Sequence, residues 1–209
     1  GKHKGAGMLL YPAQVAEVLA PIAEYPEIQF SLKMRLGWEN ASECMVLVEL
    51  LNTLRLSRIA LHARTGKQQY KGHPDLEAFQ GFYELCQHPL YYNGGIESLS
   101  DIRQILIRFP LLKVVFIGRG LLSSPLLAKE FKGNETFLPE QRMSIYFAFH
   151  EELFSAYSQV LQGETQLLVK MKTLWEYFLP ETDRKLLKRI KKSTRLQQYT
   201  ESVKAIFTS

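Results

Sequence analysis

IALHARTGKQQYKG, residues 59–72, is the stretch that decides the fold expected of this chain. Its first three residues form an apolar run that predicts a buried strand, and the rest predicts a polar loop with Gly66 and Gly72 in it. An apolar strand that ends in a basic loop is typical of the carboxyl end of a parallel barrel strand, where such folds carry their chemistry. A solvated loop after an ordinary strand is the alternative, which this stretch alone leaves open.

Three more stretches repeat the pattern of a strand followed by glycine and cations: IQFSLKMRLG at 28–37, YYNGGI at 91–96 and LKVVFIGRG at 112–120. The four stretches predict strands at about 28–34, 58–62, 90–93 and 113–117. Apolar periodicity predicts helices at about 12–23, 39–54, 74–86 and 99–109, and one that starts near Ser123. Ser98 or Ser100 suits the N-cap of the helix at 99–109. Strands that alternate with helices at this spacing predict parallel βα units and an α/β fold.

In order and spacing, these four stretches resemble the motifs of the tRNA-dihydrouridine synthases, from about Lys2 to the C-terminus. Members of that family are FMN-dependent TIM-barrel enzymes that reduce a uridine of tRNA to 5,6-dihydrouridine. The resemblance therefore implies FMN as cofactor, NADPH as electron donor and tRNA as substrate. In the family's order, the strand at 28–34 would be the fifth and that at 113–117 the eighth. Residues 1–135 are thus expected to be the C-terminal half of a TIM (β/α)8 barrel, an FMN-binding catalytic domain in part.

The family's catalytic cysteine would lie upstream of Gly1, so the resemblance implies no catalytic residue in this chain. Cys44 and Cys86 lie in predicted helices without a following proline, and we interpret both as structural. The 209 residues alone are therefore expected to be inactive. A half-barrel would leave open strand edges, which predicts self-association or pairing with the missing half.

After about residue 135 the pattern becomes helical, and residues 136–209 are expected to form an all-α helical bundle domain. The predicted helices cover 139–161, 164–179, 181–193 and 195–207. Residues 165–209 contain 10 Lys and Arg against 4 Asp and Glu, a net charge of +6, whereas the rest of the chain has 16 against 17. Such a concentration of positive charge predicts a polyanionic partner, or else a solvated helical face. By resemblance this segment is a tRNA-binding domain.

The resemblance also implies a set of FMN-binding residues. Lys33 would supply a cation to the flavin ring, and His62 would donate a hydrogen bond to it. The phosphate would bind at glycine-rich strand ends, which are Asn93, Gly94 and Gly95 on one strand and Gly118 and Arg119 on the next. Many family members have an acidic residue at the position of Gly95. This chain has no side chain there and can offer only its backbone N–H. A lysine paired with an acid and a histidine satisfied in the core are the alternatives for Lys33 and His62.

RNA-binding residues are expected in two regions. At the rim of the barrel they are Arg35, Arg64, Lys67, Gln68 and Lys71; in the basic helices they are Lys188, Lys191 and Lys192. Lys2 and Lys4, in a glycine-rich loop predicted at residues 1–7, are additional candidates.

The two cysteines predict neither a disulfide framework nor a metal site, and neither a membrane span nor a signal peptide is visible. We therefore expect a cytoplasmic protein without metal or membrane partners. Two other functions stay open. One is an FMN-dependent TIM-barrel oxidoreductase that acts on a small molecule, and the other is a non-catalytic RNA-binding protein on the same scaffold.

Overall fold

The computed structural model describes residues 4–208, which divide into two compact units between Gly118 and Arg119. The boundary expected after residue 135 therefore falls inside the second unit. The expected division into an FMN-binding part and a tRNA-binding part stays a prediction, because a division by compactness does not identify the ligands of either unit. Lys2 lies outside the described residues.

The first unit is built on a parallel sheet, which confirms the α/β class. In the described residues its strands follow sequence order and are β1 (Phe30–Gly37), β2 (Leu56–Thr65), β3 (Leu90–Asn93) and β4 (Val114–Phe116). β3 matches its predicted bounds. β1 and β2 run further toward their carboxyl ends than predicted, because the two strands stay paired as far as Gly37 and Thr65.

The helices of the first unit alternate with these strands as predicted. They are α1 (Pro12–Leu19), α2 (Val48–Thr53), α3 (Leu76–Leu85) and α4 (Leu99–Arg108), and the 3-10 segments are Gly5–Leu10, Ala20–Ala23 and Ala41–Leu47. The glycine-rich loop expected at residues 1–7 is wrong from Gly5 onward, where the first 3-10 segment begins. The continuous helix expected at 39–54 is also wrong, because its first half is a 3-10 turn. Ser98 caps α4 as predicted, since its hydroxyl accepts the backbone N–H of Asp101.

One face of the sheet packs against the helices. Ile59 and Leu61 on β2 are fully buried, and Tyr92 on β3 is 1% exposed. The Phe79 ring of α3 packs edge-on against the rings of Tyr92 and Phe109, with 4.9 Å between the ring centroids in each pair. Because side chains alternate along a strand, the neighbouring residues His62 and Asn93 lie on the opposite face.

The second unit is helical throughout its described part. Its helices are α5 (Arg119–Ser123), α6 (Leu127–Gly133), α7 (Pro139–Val160), α8 (Gly163–Leu174), α9 (Arg184–Lys192) and α10 (Leu196–Phe207). The helix expected from Ser123 is two short helices instead, and α8 ends at Leu174, before the predicted 179. There the chain turns, with Leu179 in the left-handed region at φ 49° just before Pro180. The Asp183 carboxylate then caps α9 by accepting two backbone N–H groups.

A buried hydrogen-bond network joins α7, α10 and the turn after α8. Trp175 Nε1 donates to the Tyr199 hydroxyl at 2.9 Å, and that hydroxyl lies 2.6 Å from His150 Nε2. Because the indole can only donate, the Tyr199 oxygen accepts from it. The Glu151 carboxylate, 3.0 Å from His150 Nδ1, can only accept, so the neutral imidazole carries its proton on Nδ1 and its Nε2 accepts the Tyr199 hydroxyl proton. Burial lowers the pKa of His150, although Glu151 opposes that shift.

The second unit should therefore lose stability as the pH falls. A histidine with a lowered pKa in the folded state binds its proton more readily when unfolded, so stability is present above the unfolded pKa and is lost below it. We expect urea unfolding, followed by Trp175 fluorescence with Trp38 replaced by Phe, to occur at lower urea at about pH 5.5 than at about pH 7.5. His150→Gln should reduce that difference. His73→Gln, at an exposed position, should leave it unchanged, and equal pH dependence in both variants would contradict the assignment.

Candidate active site

The strand register brings the predicted polar residues onto one face of the sheet. Arg35 is paired with His62, His62 with Asn93, and Asn93 with Phe116. Lys33 is paired with Ala60, two residues closer to the amino end of each strand and therefore on the same face. We call this side, opposite Leu61 and Tyr92, the polar face. It lies where parallel strands end, which is the position that barrel enzymes use for ligands.

Lys33 and Arg35 lie on the edge strand β1 of the described sheet. Lys33 is exposed and stands within the strand rather than at its tip. The Arg35 guanidinium donates to the carbonyls of Thr65 at 2.8 Å and Gln69 at 3.3 Å, so it ties the loop after β2 to β1. Both residues border a cavity of about 370 Å³ whose walls come mainly from the first 3-10 segment, α1, Leu47 and Leu51, so the cavity lies at the β1 edge on the side covered by helices.

His62 and Arg64 form a buried pair at the end of β2. They are 6% and 4% exposed, respectively. Arg64 Nη1 lies 3.3 Å from His62 Nε2, and Arg64 Nη2 donates to the Gly72 carbonyl at 3.1 Å. The Tyr70 ring stands 6.4 Å from the imidazole. The structure thus brings Arg64 to His62 inside the loop, whereas the sequence predicted it at the rim.

The tip of β3 lies against this pair. Gly94 and Gly95 have φ values of 139° and 63°, in the region that favours glycine. An ideal Cβ on Gly94 would lie 3.4 Å from Cδ2 of His62, and one on Gly95 would lie 2.8 Å from Cγ of Pro74. The departure from the family pattern at Gly95 therefore has a local reason, since a larger residue there would collide with Pro74.

The predicted rim residues of the β2 loop have different surroundings. Lys67 forms an ion pair with Glu39 at 2.5 Å, with both side chains about half exposed. The Gln68 amide donates to the carbonyls of Lys71 and His73, each at 2.8 Å, and so closes the loop. The Lys71 side chain is exposed. Lys67 and Lys71 are the members of this set that lie at the surface, while Gln68 is engaged in holding the loop.

Trp38 and Glu43, which sequence reasoning missed, hold the loop after β1 against the loop after β2. The Trp38 ring lies so close to Gly66 that an ideal Cβ on Gly66 would be 2.2 Å from Cε3 of the indole. Gly66 N–H donates to the Gly37 carbonyl at 2.7 Å. The Glu43 carboxylate accepts the backbone N–H groups of Trp38, Glu39 and Asn40. The signal for Glu43 was its position three residues after Asn40, which is the spacing of a capping box.

Gly118 and Arg119 lie on either side of the division between the two units. Gly118 is exposed, and a Cβ added to it would meet no atom within 4 Å among those the structure describes. Arg119 is half-buried at the start of α5. Their predicted joint role in phosphate binding stays a prediction.

The basic surface of the second unit lies on α9. This helix buries Ile190 and turns its cations, including Lys188, Lys191 and Lys192, toward solvent. A groove of about 420 Å³ beside α10 is lined by Lys185, Lys188, Arg189 and Lys192 together with Gln198, Glu201 and both serines 193 and 202. The arrangement offers closely spaced cations to an extended anion.

Neither cysteine has the surroundings of a reactive thiol. Burial raises the pKa of Cys44 to about 12 and also raises that of Cys86. Both therefore stay protonated near neutral pH, which agrees with the structural interpretation. Within residues 4–208, the structure has neither a group of three or more metal-ligating His, Cys, Asp or Glu nor a helix long and apolar enough to span a membrane.

Comparison with known proteins identifies the family of the chain. The family model described as dihydrouridine synthase matches residues 1–208. The chain therefore belongs to the dihydrouridine synthase family. It is 25% identical to tRNA-dihydrouridine synthase B of Vibrio vulnificus over 143 residues, which cover 66% of this chain and 44% of that protein.

Two further relatives are more similar in sequence. The chain is 33% identical to an Aquifex aeolicus protein described as "Probable tRNA-dihydrouridine synthase" over 135 residues, 63% of this chain and 42% of the relative. It is 31% identical to tRNA-dihydrouridine(16) synthase of Haemophilus ducreyi over 140 residues, 64% of this chain and 42% of the relative. The matched part is thus less than half the length of each of these relatives.

Gly66→Ala should loosen the site loop. Its methyl group would overlap the Trp38 ring, and relief of that overlap requires the indole or the loop to move, at a cost of about 1–3 kcal/mol. Thermal unfolding and hydrogen exchange of residues 64–72 are the measurements. Gly118→Ala is the matched control and should unfold like the unchanged protein, because the space around it is open. Equal unfolding temperatures for the two variants would show that the close contact between Trp38 and Gly66 does not stabilise the loop.

Proposed function

We propose that this chain is the C-terminal part of a flavin-dependent tRNA-dihydrouridine synthase, an oxidoreductase that reduces uridine in tRNA to 5,6-dihydrouridine. The family membership and the names of the relatives support the reaction class. The observation that carries the proposal is the row of Arg35, His62 and Asn93 across the ends of three adjacent parallel strands. Catalysis needs side chains held in fixed positions, and adjacent strands hold them in fixed register.

The proposed architecture is half of a TIM barrel followed by a helical tRNA-binding domain. A parallel sheet in sequence order, with helices on one face and the proposed ligand-binding residues on the other, is the arrangement of consecutive barrel strands. In a closed barrel the polar face would line the interior. We propose that four further strands from the rest of the enzyme cover it, or that a second copy of this chain does so in their absence.

The residues on the polar face fit FMN. Lys33 offers a cation for the electron-rich edge of a flavin, His62 a ring N–H, and Asn93 an amide, while the exposed Gly95 offers its backbone beside the buried Gly94. When bound, FMN supplies the hydride for the uracil ring and is itself reduced by NADPH. Arg119 is the proposed cation for the FMN phosphate.

We propose that the acid that protonates the uracil ring lies outside this chain. Cys44 and Cys86 are held as structural thiols, so neither suits that role. We propose that the acid is the family's cysteine, in the part of the enzyme that precedes residue 1. The 209-residue chain alone should then turn over no substrate.

tRNA is the proposed partner, held at two surfaces. Lys67 and Lys71 would contact RNA beside the flipped uridine, since a base has to leave its stack before a flavin can reach it. The cations of α9 would contact the phosphate backbone elsewhere. The proposed location is the cytoplasm, because tRNA is the proposed substrate.

The reaction itself is the test of this proposal. The intact protein that contains this chain, supplied with FMN and NADPH, should convert uridine to dihydrouridine in unmodified tRNA, measured by mass spectrometry of the digested nucleosides. NADPH-dependent reduction of small enones or quinones at full rate without any dihydrouridine would instead indicate the small-molecule oxidoreductase. Tight tRNA binding without NADPH oxidation would indicate the non-catalytic RNA-binding protein.

Flavin binding should depend on Lys33 and Arg119. Each replacement by Ala removes a charge-assisted contact worth about 1.5–3 kcal/mol, so FMN affinity should fall by about tenfold or more. FMN content after purification and fluorescence titration of the apoprotein are the measurements. Arg58→Ala removes a cation nearer the amino end of the sheet and should keep normal affinity. Normal FMN affinity in Lys33→Ala would exclude Lys33 from the site.

Reversal of Lys188, Lys191 and Lys192 to Glu should weaken tRNA binding and flatten its dependence on salt. Each lost phosphate contact lowers the slope of log affinity against log salt by about 0.7–0.9. The matched control reverses the exposed cations Arg55, Arg103 and Lys113 of the first unit, which changes the net charge equally. If both triple variants bind tRNA alike at low salt, the cations of α9 do not contact tRNA and only face solvent. FMN content should be normal in both.

A further inference from the structure

The hydrogen bond between Arg64 and His62 determines which ring nitrogen of His62 carries the proton. A guanidinium has only donors, so Arg64 Nη1 donates across the 3.3 Å contact and His62 Nε2 accepts. A nitrogen that accepts a hydrogen bond carries no proton. His62 is therefore neutral while this bond exists, and its proton is on Nδ1.

The geometry around the pair keeps this arrangement in place. Arg64 is 4% exposed, and its second terminal nitrogen donates to the Gly72 carbonyl at 3.1 Å, so the guanidinium is held from two sides. An ideal Cβ on Gly94 would lie in ordinary van der Waals contact with Cδ2, at 3.4 Å, so the imidazole edge lies beside the tip of β3. A ring flip that exchanged the two nitrogens would break the bond to Arg64.

Three cations lie on the strands around His62. Arg35 is its register partner on β1, Lys33 lies two residues before Arg35 on the same strand, and Arg64 is on its own strand. From β3 the neighbour is Asn93, and from the loop it is the phenol ring of Tyr70. Among the three cations, Arg64 contacts the imidazole directly.

We propose that Arg64 is a positioning residue that fixes His62 as the neutral imidazole with its proton on Nδ1. This differs from the direct RNA contact expected from the sequence, which a buried and doubly bonded guanidinium is poorly placed to make. The consequence for catalysis rests on the proposed function. His62 can then present Nδ1–H as a donor to an electron-rich ligand, and it cannot act as a general acid from Nε2 without the loss of the bond to Arg64.

Nitrogen-15 NMR of the intact protein, with histidine labelled selectively, tests the proposal. The spectrum of His62→Gln identifies the His62 signals among the five histidines. In the unchanged protein without flavin, His62 should show a protonated Nδ1 and an unprotonated Nε2. A protonated Nε2 in that spectrum overturns the proposal, whatever the variants do.

Two variants separate charge from hydrogen bonding. Arg64→Met removes both, so His62 should populate the Nε2–H tautomer and take up its second proton at higher pH than in the unchanged protein. Arg64→Lys keeps the positive charge and should shift that titration less. Arg58→Met removes the same charge from the same strand nearer its amino end and should change neither tautomer nor titration. If Arg64→Met folds and leaves the His62 tautomer and titration unchanged, the proposal is wrong.

FMN content of the same samples distinguishes this proposal from the proposed function. Loss of the Nδ1–H form in Arg64→Met together with weaker FMN binding supports both. A protein that never binds FMN but still shows the predicted tautomer refutes the flavin assignment and leaves the role of Arg64 standing. Normal FMN binding together with a protonated Nε2 on His62 refutes the role of Arg64 and leaves the flavin assignment standing.

Discussion

The parallel pairing of β2 between β1 and β3 is the constraint on which the rest of the structure depends. It aligns Arg35, His62 and Asn93 in one row and turns Leu61 and Tyr92 toward the helices. A shift of one residue in either pairing would exchange the two faces, and would put His62 among the buried aromatic rings and Leu61 on the polar face. The apolar contacts of Phe79 with Tyr92 and Phe109 therefore fix the position of the polar site, although none of these residues belongs to it.

Loops then determine which polar groups are buried. Arg64 and His62 are covered because the loop after β2 folds back, with Arg35 bound to its carbonyls and Trp38 packed on Gly66. Buried cations are costly unless hydrogen bonds compensate them, and here backbone carbonyls and an imidazole nitrogen do so. Lys67, Lys71 and the cations of α9 stay exposed, and these are the regions for which we propose RNA binding.

Sequence reasoning succeeded where local pattern and tertiary packing agree. β3, the Ser98 cap and the start of α7 at Pro139 were predicted because short apolar runs, a capping serine and an N-terminal proline act locally. It failed at the 3-10 turn of Ala41–Leu47, where the Glu43 carboxylate holds three N–H groups of the preceding loop. It also failed to predict the burial of Arg64, because a cation in a loop carries no local sign of which carbonyls will enclose it.

Hydrogen–deuterium exchange of the intact protein, with and without FMN, tests most directly whether the polar face holds the ligand. The account predicts that FMN slows exchange in residues 62–72 and 93–95, where the ends of β2 and β3 meet. Exchange in α3 and α4, on the other face of the sheet, should change little. Protection that leaves residues 62–72 and 93–95 unaffected, while FMN is demonstrably bound, would contradict the assignment of this face.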